Sequence, residues 1–508
     1  MKHALSVTRD QDFAAWYQAV IAEADLAEES GVRGCMVIRP WGYGIWERIQ
    51  ALLDAEIKRT GHENCYFPLF IPLSYFEKEA EHVDGFAKEM AVVTHHRLIQ
   101  KDGRLVPDPE AKLEEPLVVR PTSETVIGAA FSRWIQSWRD LPVLINQWAN
   151  VVRWEMRTRM FLRTSEFLWQ EGHTAHASEA EAREETLKML EVYRTFAEDC
   201  LALPVIAGEK PENERFPGAV STYSIEAMMQ DGKALQAGTS HFLGTTFSSA
   251  QNIRFQNSEG VQELAQTTSW GVSTRMIGGV IMVHGDDDGL RVPPRIAPHQ
   301  IIIVPMLRDV PEDDAIIDYC MDLLGELQKL DVFREPVRVL LDRRPAKAAN
   351  KRWGWVKKGA PIIVEVGGRD VAGGNVSVLR RDRLYKDDGK LDSAIVAKAD
   401  FVAAATGILT EVQANLHAQA TERLHSNIGR SIATLDALKA HFNASNKPGW
   451  AEVQWSKPTG EALDKVVQWL KGEKLTLRNV PLDAAAADGA CIFTGDTAVE
   501  RVLVGRSY

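Results

Sequence analysis

Apolar residues recur at helical spacing near the start of the chain, where Phe13, Trp16, Tyr17, Val20, Ile21 and Leu26 predict an amphipathic helix. A second helical run covers Trp41–Thr60 and is closed by Gly61, and CYFPLFIP after it reads as a strand bounded by Pro68 and Pro72. Between Leu144 and His176 the pattern is of two antiparallel strands, rich in aromatic and β-branched residues, joined by the polar loop MRTRM. A Glu-rich helix is predicted from Ser178 to Cys200, then short strands and turns up to AGTSHFLG, then a strand running into the Gly-rich apolar helix of SWGVSTRMIGGVIMVHG. PPRIAP at 293–298 is rigid and marks a domain boundary. From His299 the pattern alternates strand and helix: HQIIIVPML, a helix through about Gln328, VRVLLD, a basic helix, APIIVEVGG and NVSVLRRD, which together predict a small open α/β sheet. Two helices, Phe401–His425 and Ile432–Phe442, precede short strands and the ending VLVGRSY.

The two strands of 144–176 carry chemistry rather than a plain core pattern. Alternation places Arg153 and Glu155 on one face of the first arm, and Arg163, Phe167, Trp169, Glu171 and His173 on one face of the second. Charged residues alternating on a strand also describe a solvated face. Cations, a carboxylate, an imidazole and two rings on one surface form a floor for a polar, aromatic ligand. In LVVRPTSETV, Thr122, Ser123 and Glu124 stand at a strand-to-helix junction, where a hydroxyl can cap the helix and a carboxylate complements its dipole. Gln236, Thr239 and His241 surround a glycine that permits close approach to a ligand, and Arg275 opens the later Gly-rich helix.

A chain of 508 residues implies two to four domains, and no run reaches the roughly 18 consecutive apolar residues of a membrane span. The N-terminus lacks the apolar core of a secretory signal. Five scattered cysteines without a CxxC pair read as free thiols in a reducing cytosol. The net charge of −11 hides one basic stretch, Arg343–Lys358, in which Arg343, Arg344, Lys347, Lys351, Arg352, Lys357 and Lys358 occur without an acidic residue. Such a stretch is either a solvated helix face or a local nucleic-acid surface.

The words of the chain are more specific than its periods. Arg153-x-Glu155, a short loop and Arg163-x-x-x-Phe167 resemble the second signature of class II aminoacyl-tRNA synthetases. Together with RPTSE at 120–124, FLWQEGHTAH at 167–176, AGTSHFLG at 237–244 and the 269–298 segment, they resemble the prolyl-tRNA synthetases without a large editing insertion, of the archaeal and eukaryote-like type. Only 112 positions separate Arg163 from Arg275, too few for the catalytic strands plus an inserted domain of typical size.

That resemblance implies an α+β fold: a class II antiparallel catalytic core over 1–295, an α/β anticodon-binding domain over 296–405 and a small α+β C-terminal domain over 406–508. It implies activation of L-proline by ATP and transfer of the prolyl group to tRNA(Pro), in a cytoplasmic homodimer that binds neither membrane nor DNA. By family position, Thr122, Glu124, Arg153, Trp169, Glu171, His173 and His241 would hold proline. Arg153, Glu155, Arg163, Thr164, Phe167, Gln236, Thr239, Ser273 and Arg275 would hold ATP, with Arg153 and Arg275 as the catalytic cations and Mg²⁺ on the phosphates. The basic stretch would approach the anticodon. Val356-Lys357-Lys358-Gly359 departs from the family's Glu-Leu-Lys-Gly word, so the contact of the missing Glu is lost from the pattern. The family's C-terminal domain usually holds zinc on four cysteines, whereas here Ser456 occupies the first position and Cys491 alone remains, so no structural zinc is expected. Siblings charging threonine, histidine or glycine would lack this combination of WQEGHTAH and GTSHFLG. A non-catalytic RNA-binding relative would have lost a motif arginine, and all three are present.

Overall fold

The strand-loop-strand of 144–176 lies at the heart of an eight-stranded sheet in the computed structural model, which describes residues 3–77, 89–445 and 447–508. The strand order is Val480–Pro481, Val205–Glu209, Ser221–Met228, Ala234–Gly244, Gln266–Ser273, Glu166–His176, Val143–Val152 and Glu63–Asn64. Each neighbour pair is antiparallel except the last, Glu63–Asn64 against Val143–Val152. The sheet is α+β in the expected way, and its longest helices gather on one face while Glu124–Trp134 packs on the other. Helix Glu179–Leu201 lays Met189, Tyr193 and Phe196 on the first face, and Pro40–Arg59 and Arg275–His284 complete the core around the fully buried Trp16, Trp46 and Trp270. Gly278 is needed there, since a Cβ would stand 2.5 Å from Leu162 and 3.0 Å from the Tyr17 hydroxyl. The CYFPLFIP segment forms a strand only at Phe70–Pro72. Prolines on either side remove the donors a longer ladder needs.

The region after PPRIAP is a five-stranded sheet ordered Val339–Leu341, Ile301–Pro305, Ile362–Val366, Asn375–Arg380, Ser393–Ala397. Its first three strands are parallel and its last two antiparallel. Ile301–Pro305 and Ile362–Val366 are buried along their whole length, which explains why they read as continuous apolar runs. Helix Lys398–Ser426 then runs straight through the boundary expected at 405. Phe401, Ala405 and Leu409 belong to the core of the five-stranded domain, whereas Ala420 joins the catalytic core and Leu424 packs with Trp450 of the last domain. The transition there is a change of packing partners along one helix, not a linker.

The C-terminal sheet, Ile428–Gly429, Trp450–Trp455, Glu500–Gly505 and Thr476–Leu477, covers a core of its own that includes Trp455, Leu463, Val466, Leu470 and Cys491. Among the described residues no three His, Cys, Asp or Glu side chains converge as a metal site. Where a first zinc thiol would stand, the Ser456 hydroxyl lies 3.0 Å from that of Thr494. Burial pushes the Cys491 thiol up, but hydrogen bonds from Ser456 and Thr494 outweigh it and bring it below its ordinary range. An apolar core fills this domain. Trp455→Ala is expected to cost about 3–5 kcal/mol in a denaturant titration, while chelation of the native chain leaves its melting temperature unchanged.

Candidate functional site

One cavity of about 410 Å³ opens on the sheet face that carries helix Glu124–Trp134, and the residues expected to hold proline and ATP all line it. Register explains why. Trp169, Glu171 and His173 stand opposite Ser273, Gly271 and Ser269, and the same Gly271 and Ser269 stand opposite Thr239 and His241 on the next strand. Alternation then points all of these side chains to one face. A Cβ at Gly271 would lie 3.1 Å from the Gln170 carbonyl oxygen. The glycine leaves the centre of the floor low, which makes room for a ligand.

At one end a buried polar cluster forms. Glu171, 2% exposed, accepts from the Ser123 hydroxyl at 2.5 Å, from Gln147 Nε2 at 2.8 Å and faces His173 Nε2 at 2.9 Å. Burial opposes its charge, yet His173, Ser123 and Gln147 together hold the carboxyl below its ordinary range. Burial would likewise lower His173, but the Glu171 hydrogen bond and charge, helped by Glu124, raise it. The stability supplied by protonated His173 is present below its ordinary value of 6.5 and is lost as pH rises through the higher folded value. The share from Glu171 is present above 4.5 and is lost as pH falls through its depressed value. The melting-temperature gap between the native chain and His173→Gln is therefore expected to be widest from pH 4.5 to 6.5 and to shrink in alkali. His241 differs: burial, with the nearby charge of His173, pushes it down to about 3, so it stays neutral. Its Nδ1 is 3.0 Å from the Thr222 hydroxyl and its ring stacks on Phe216 at 4.7 Å.

The other end is cationic. Arg153 donates from Nε to the Pro121 carbonyl oxygen at 2.8 Å, and its guanidinium lies 5.6 Å and 5.5 Å from the Phe167 and Trp169 ring centres. Arg275 donates from Nε to the Leu162 carbonyl oxygen at 3.2 Å. Burial, followed by the like charges of Arg153 and Arg163, pushes its guanidinium down to about 10. A cluster of cations that repel one another in a shielded cavity is a receptor for a polyanion. Arg163 sits at the exposed rim, 3.6 Å from Glu155, while Thr164, Gln236 and Thr239 line the wall between.

Three expectations need correction. The first arm ends at Val152, so Arg153 and Glu155 lie beyond the ladder. They are tied instead to the loop, Arg153 N–H to the Ser165 carbonyl oxygen at 2.8 Å and Glu155 N–H to the Ser165 hydroxyl. Arg163 also precedes its strand, which begins at Glu166. Glu124 does open a helix, but neither Thr122 nor Ser123 caps it by side chain: Thr122 donates to Glu124 and Ser123 donates to the buried Glu171. The helix Ala348–Lys358 does not present a continuous basic face either. Lys351 is 3% exposed and donates to the Asp342 carbonyl oxygen, which removes it from any RNA surface. Arg352 pairs with Glu365, Lys357 with Glu23 and Lys358 with Asp25, while Arg343, Arg344 and Lys347 are exposed on the preceding loop, Arg344 paired with Asp342.

Several residues of the cavity and of the buried layer behind it escaped the sequence reading. Ser123 sat inside a quoted word but was read as a cap, and Gln147 looked like an ordinary strand residue. Glu214, Arg215 and Phe216 come from a loop whose only sequence signal was its turn residues. Gly34, at φ +80°, lets its carbonyl accept from Ser165 N–H at 2.7 Å, bracing the Arg153 loop from far away in sequence.

Comparison with known proteins decides what this cavity belongs to. Residues 108–284 match the class II tRNA synthetase core domain of the G, H, P, S and T group, and residues 300–397 match an anticodon-binding domain. The proline–tRNA ligase of Sphingomonas elodea is 78% identical over all of both chains. This chain belongs to the proline–tRNA ligase family. The proline–tRNA ligase of Bdellovibrio bacteriovorus is 52% identical over 99% of each chain. A crystal structure of prolyl-tRNA synthetase from Cryptosporidium parvum, complexed with L-proline and AMP, superposes with a TM-score of 0.88 at 34% identity, covering 99% of this chain and 97% of that one. The family likeness thus extends along the whole chain, C-terminal domain included.

Proposed function

We infer that the chain activates L-proline with ATP to prolyl-adenylate and passes the prolyl group to the 3′ end of tRNA(Pro). The observation that carries this reading is the polarity of one cavity: carboxylates and neutral His241 at one end, Arg153 between two rings at the centre, and Arg275 at the other. Proline fits the first end. Its cationic imino group is attracted by Glu124 and Glu171, and its ring lies among Trp169, His173, His241 and Phe216. Its carboxylate then points to Arg153, which also draws the α-phosphate and so brings two anions within reaction distance. Phe167 stacks on adenine and Glu155 accepts from the adenine amino group. Thr164, Gln236, Thr239 and Ser273 make further nucleotide contacts, and Arg163 and Arg275 hold the outer phosphates.

Mg²⁺ prefers one or two carboxylates plus phosphate oxygens. Glu214, on the cavity wall with Gln236 and Arg275, fits that donor set, and the ion would neutralise phosphate charge there. We further propose that residues 1–295 form the catalytic unit, that Arg343, Arg344 and Lys347 touch the anticodon arm, and that the enzyme is a cytoplasmic homodimer. The exposed rings of Tyr66, Phe70, Trp134 and Trp138 support a second copy. No described helix is long and apolar enough to cross a membrane.

Amino-acid-dependent ATP–pyrophosphate exchange without tRNA tests the reading: proline is expected to support strong exchange, and absence of exchange with all twenty amino acids would overturn it. Alanine is expected to be activated with kcat/KM about 10²- to 10⁴-fold below proline, because a missing methylene or two is worth only about 1–3 kcal/mol each. Discrimination beyond five orders of magnitude would contradict the proposed pocket.

A further inference from the structure

The C-terminal domain enters the catalytic sheet. Val480–Pro481 pairs with Val205–Glu209 as its outer strand, so closely that a Cβ at Gly208 would lie 2.4 Å from the Val480 carbonyl oxygen. Asn479, fully buried, donates to the carbonyl oxygens of Ile206 at 3.0 Å and Ser224 at 3.3 Å. Arg478, just before it and 6% exposed, reaches Glu226 at 2.7 Å. The other oxygen of Glu226 accepts from Lys210 at 2.7 Å and from the Ser224 hydroxyl at 3.1 Å. Two cations share the buried Glu226 carboxylate, and Glu214 is near enough to act on them as well. Apolar residues of similar volume would join the two domains at lower desolvation cost, so the charges point to another role.

Their neighbours suggest which one. Glu226 stands opposite Gln236 across a bulge in the ladder. Gln236, Arg163, Glu214 and Arg275 line both the substrate cavity and an adjoining chamber of about 610 Å³, whose wall also includes Arg478 and Lys233. Arg478 and Glu226 are both near enough to Arg275 to act on its charge. We propose that Arg478, delivered by the C-terminal domain, is a positioning residue for the polyphosphate of ATP and the departing pyrophosphate: it fixes Glu226, and through it the Gln236 wall. The inference rests on the nucleotide reading of the cavity.

Steady-state ATP–pyrophosphate exchange by the full chain tests it. Arg478→Met is expected to raise the KM for ATP and for pyrophosphate about tenfold while the KM for proline stays within about twofold, and Arg478→Lys is expected to recover most of the loss. If Arg478→Met melts as the native chain does and neither KM moves more than about twofold, or if all three KM values rise together, the inference is overturned. Should Arg478→Met not fold, Arg478→Gln, whose amide still donates to Glu226, is judged by the same criteria. Absence of exchange by the native chain with proline or any other amino acid would instead remove the nucleotide reading, and this inference with it.

Discussion

Arg153→Ala is expected to lower kcat/KM for proline-dependent ATP–pyrophosphate exchange by about 10³-fold while the chain still folds. The side chain lies between Phe167 and Trp169 with its Nε on the Pro121 carbonyl oxygen, so its direction is set before any ligand arrives. Burial already lowers its pKa, with Glu124 and Glu171 only partly restoring it. A cation held in a shielded place stabilises a developing pentavalent phosphate without waiting for solvent to reorganise, and one such donor is typically worth about 10²- to 10³-fold in rate. In the proposed reading Arg153 serves two anions at once, the carboxylate and the α-phosphate, which places the expected loss at the upper end. Arg153→Lys keeps the charge but lacks a planar fork, so it is expected to recover only part of the rate. Exchange within tenfold of native in the alanine variant would remove Arg153 from the catalytic assignment.

The second large effect is expected at Glu171. Replacing it by alanine leaves Ser123, Gln147 and the raised imidazole of His173 facing an empty, buried position. Breaking one side of a buried, hydrogen-bonded ion pair costs about 3–5 kcal/mol, and that loss should appear in a urea titration. Function should fall as well, because Ser123 precedes Glu124 and Glu171 shares its strand face with Trp169 and His173. Glu171→Gln separates the two consequences. The amide keeps the volume and can hydrogen-bond to Gln147, but the charge on His173 loses its partner. It is expected to fold with a smaller stability loss and a proline KM at least about tenfold higher, with ATP KM little changed. An alanine variant as stable as the native chain would show that the cluster adds nothing to the fold. An unchanged proline KM in the glutamine variant would place Glu171 outside the pocket's function.

Much of this protein was legible in its sequence. Periodicity located the helices Pro40–Arg59 and Glu179–Leu201 to within a few residues, and the first helix, Phe13–Glu23, within a longer stretch of about 1–30, because each buries one stripe in the core. The ordered words around Arg153, Glu171, His241 and Arg275 carried the resemblance to the class II synthetases, and strand alternation gave Trp169, Glu171 and His173 a shared face. The loss of zinc-binding thiols could also be read directly from Ser456 and the isolated Cys491.

What only the tertiary structure decided were the partners. Ser123 satisfies Glu171 48 positions away, Gly34 braces Ser165, and Arg478 meets Glu226 across 252 positions. Local propensity made Ser123 a cap and the Arg343–Lys358 run a basic face. The fold instead turned that hydroxyl inward and spent Lys351, Arg352, Lys357 and Lys358 on backbone and acidic neighbours. Side-chain type and spacing determine which face a residue occupies. Which distant group meets it there depends on how strands far apart in sequence come to lie side by side, and that choice is made by the burial of the whole core.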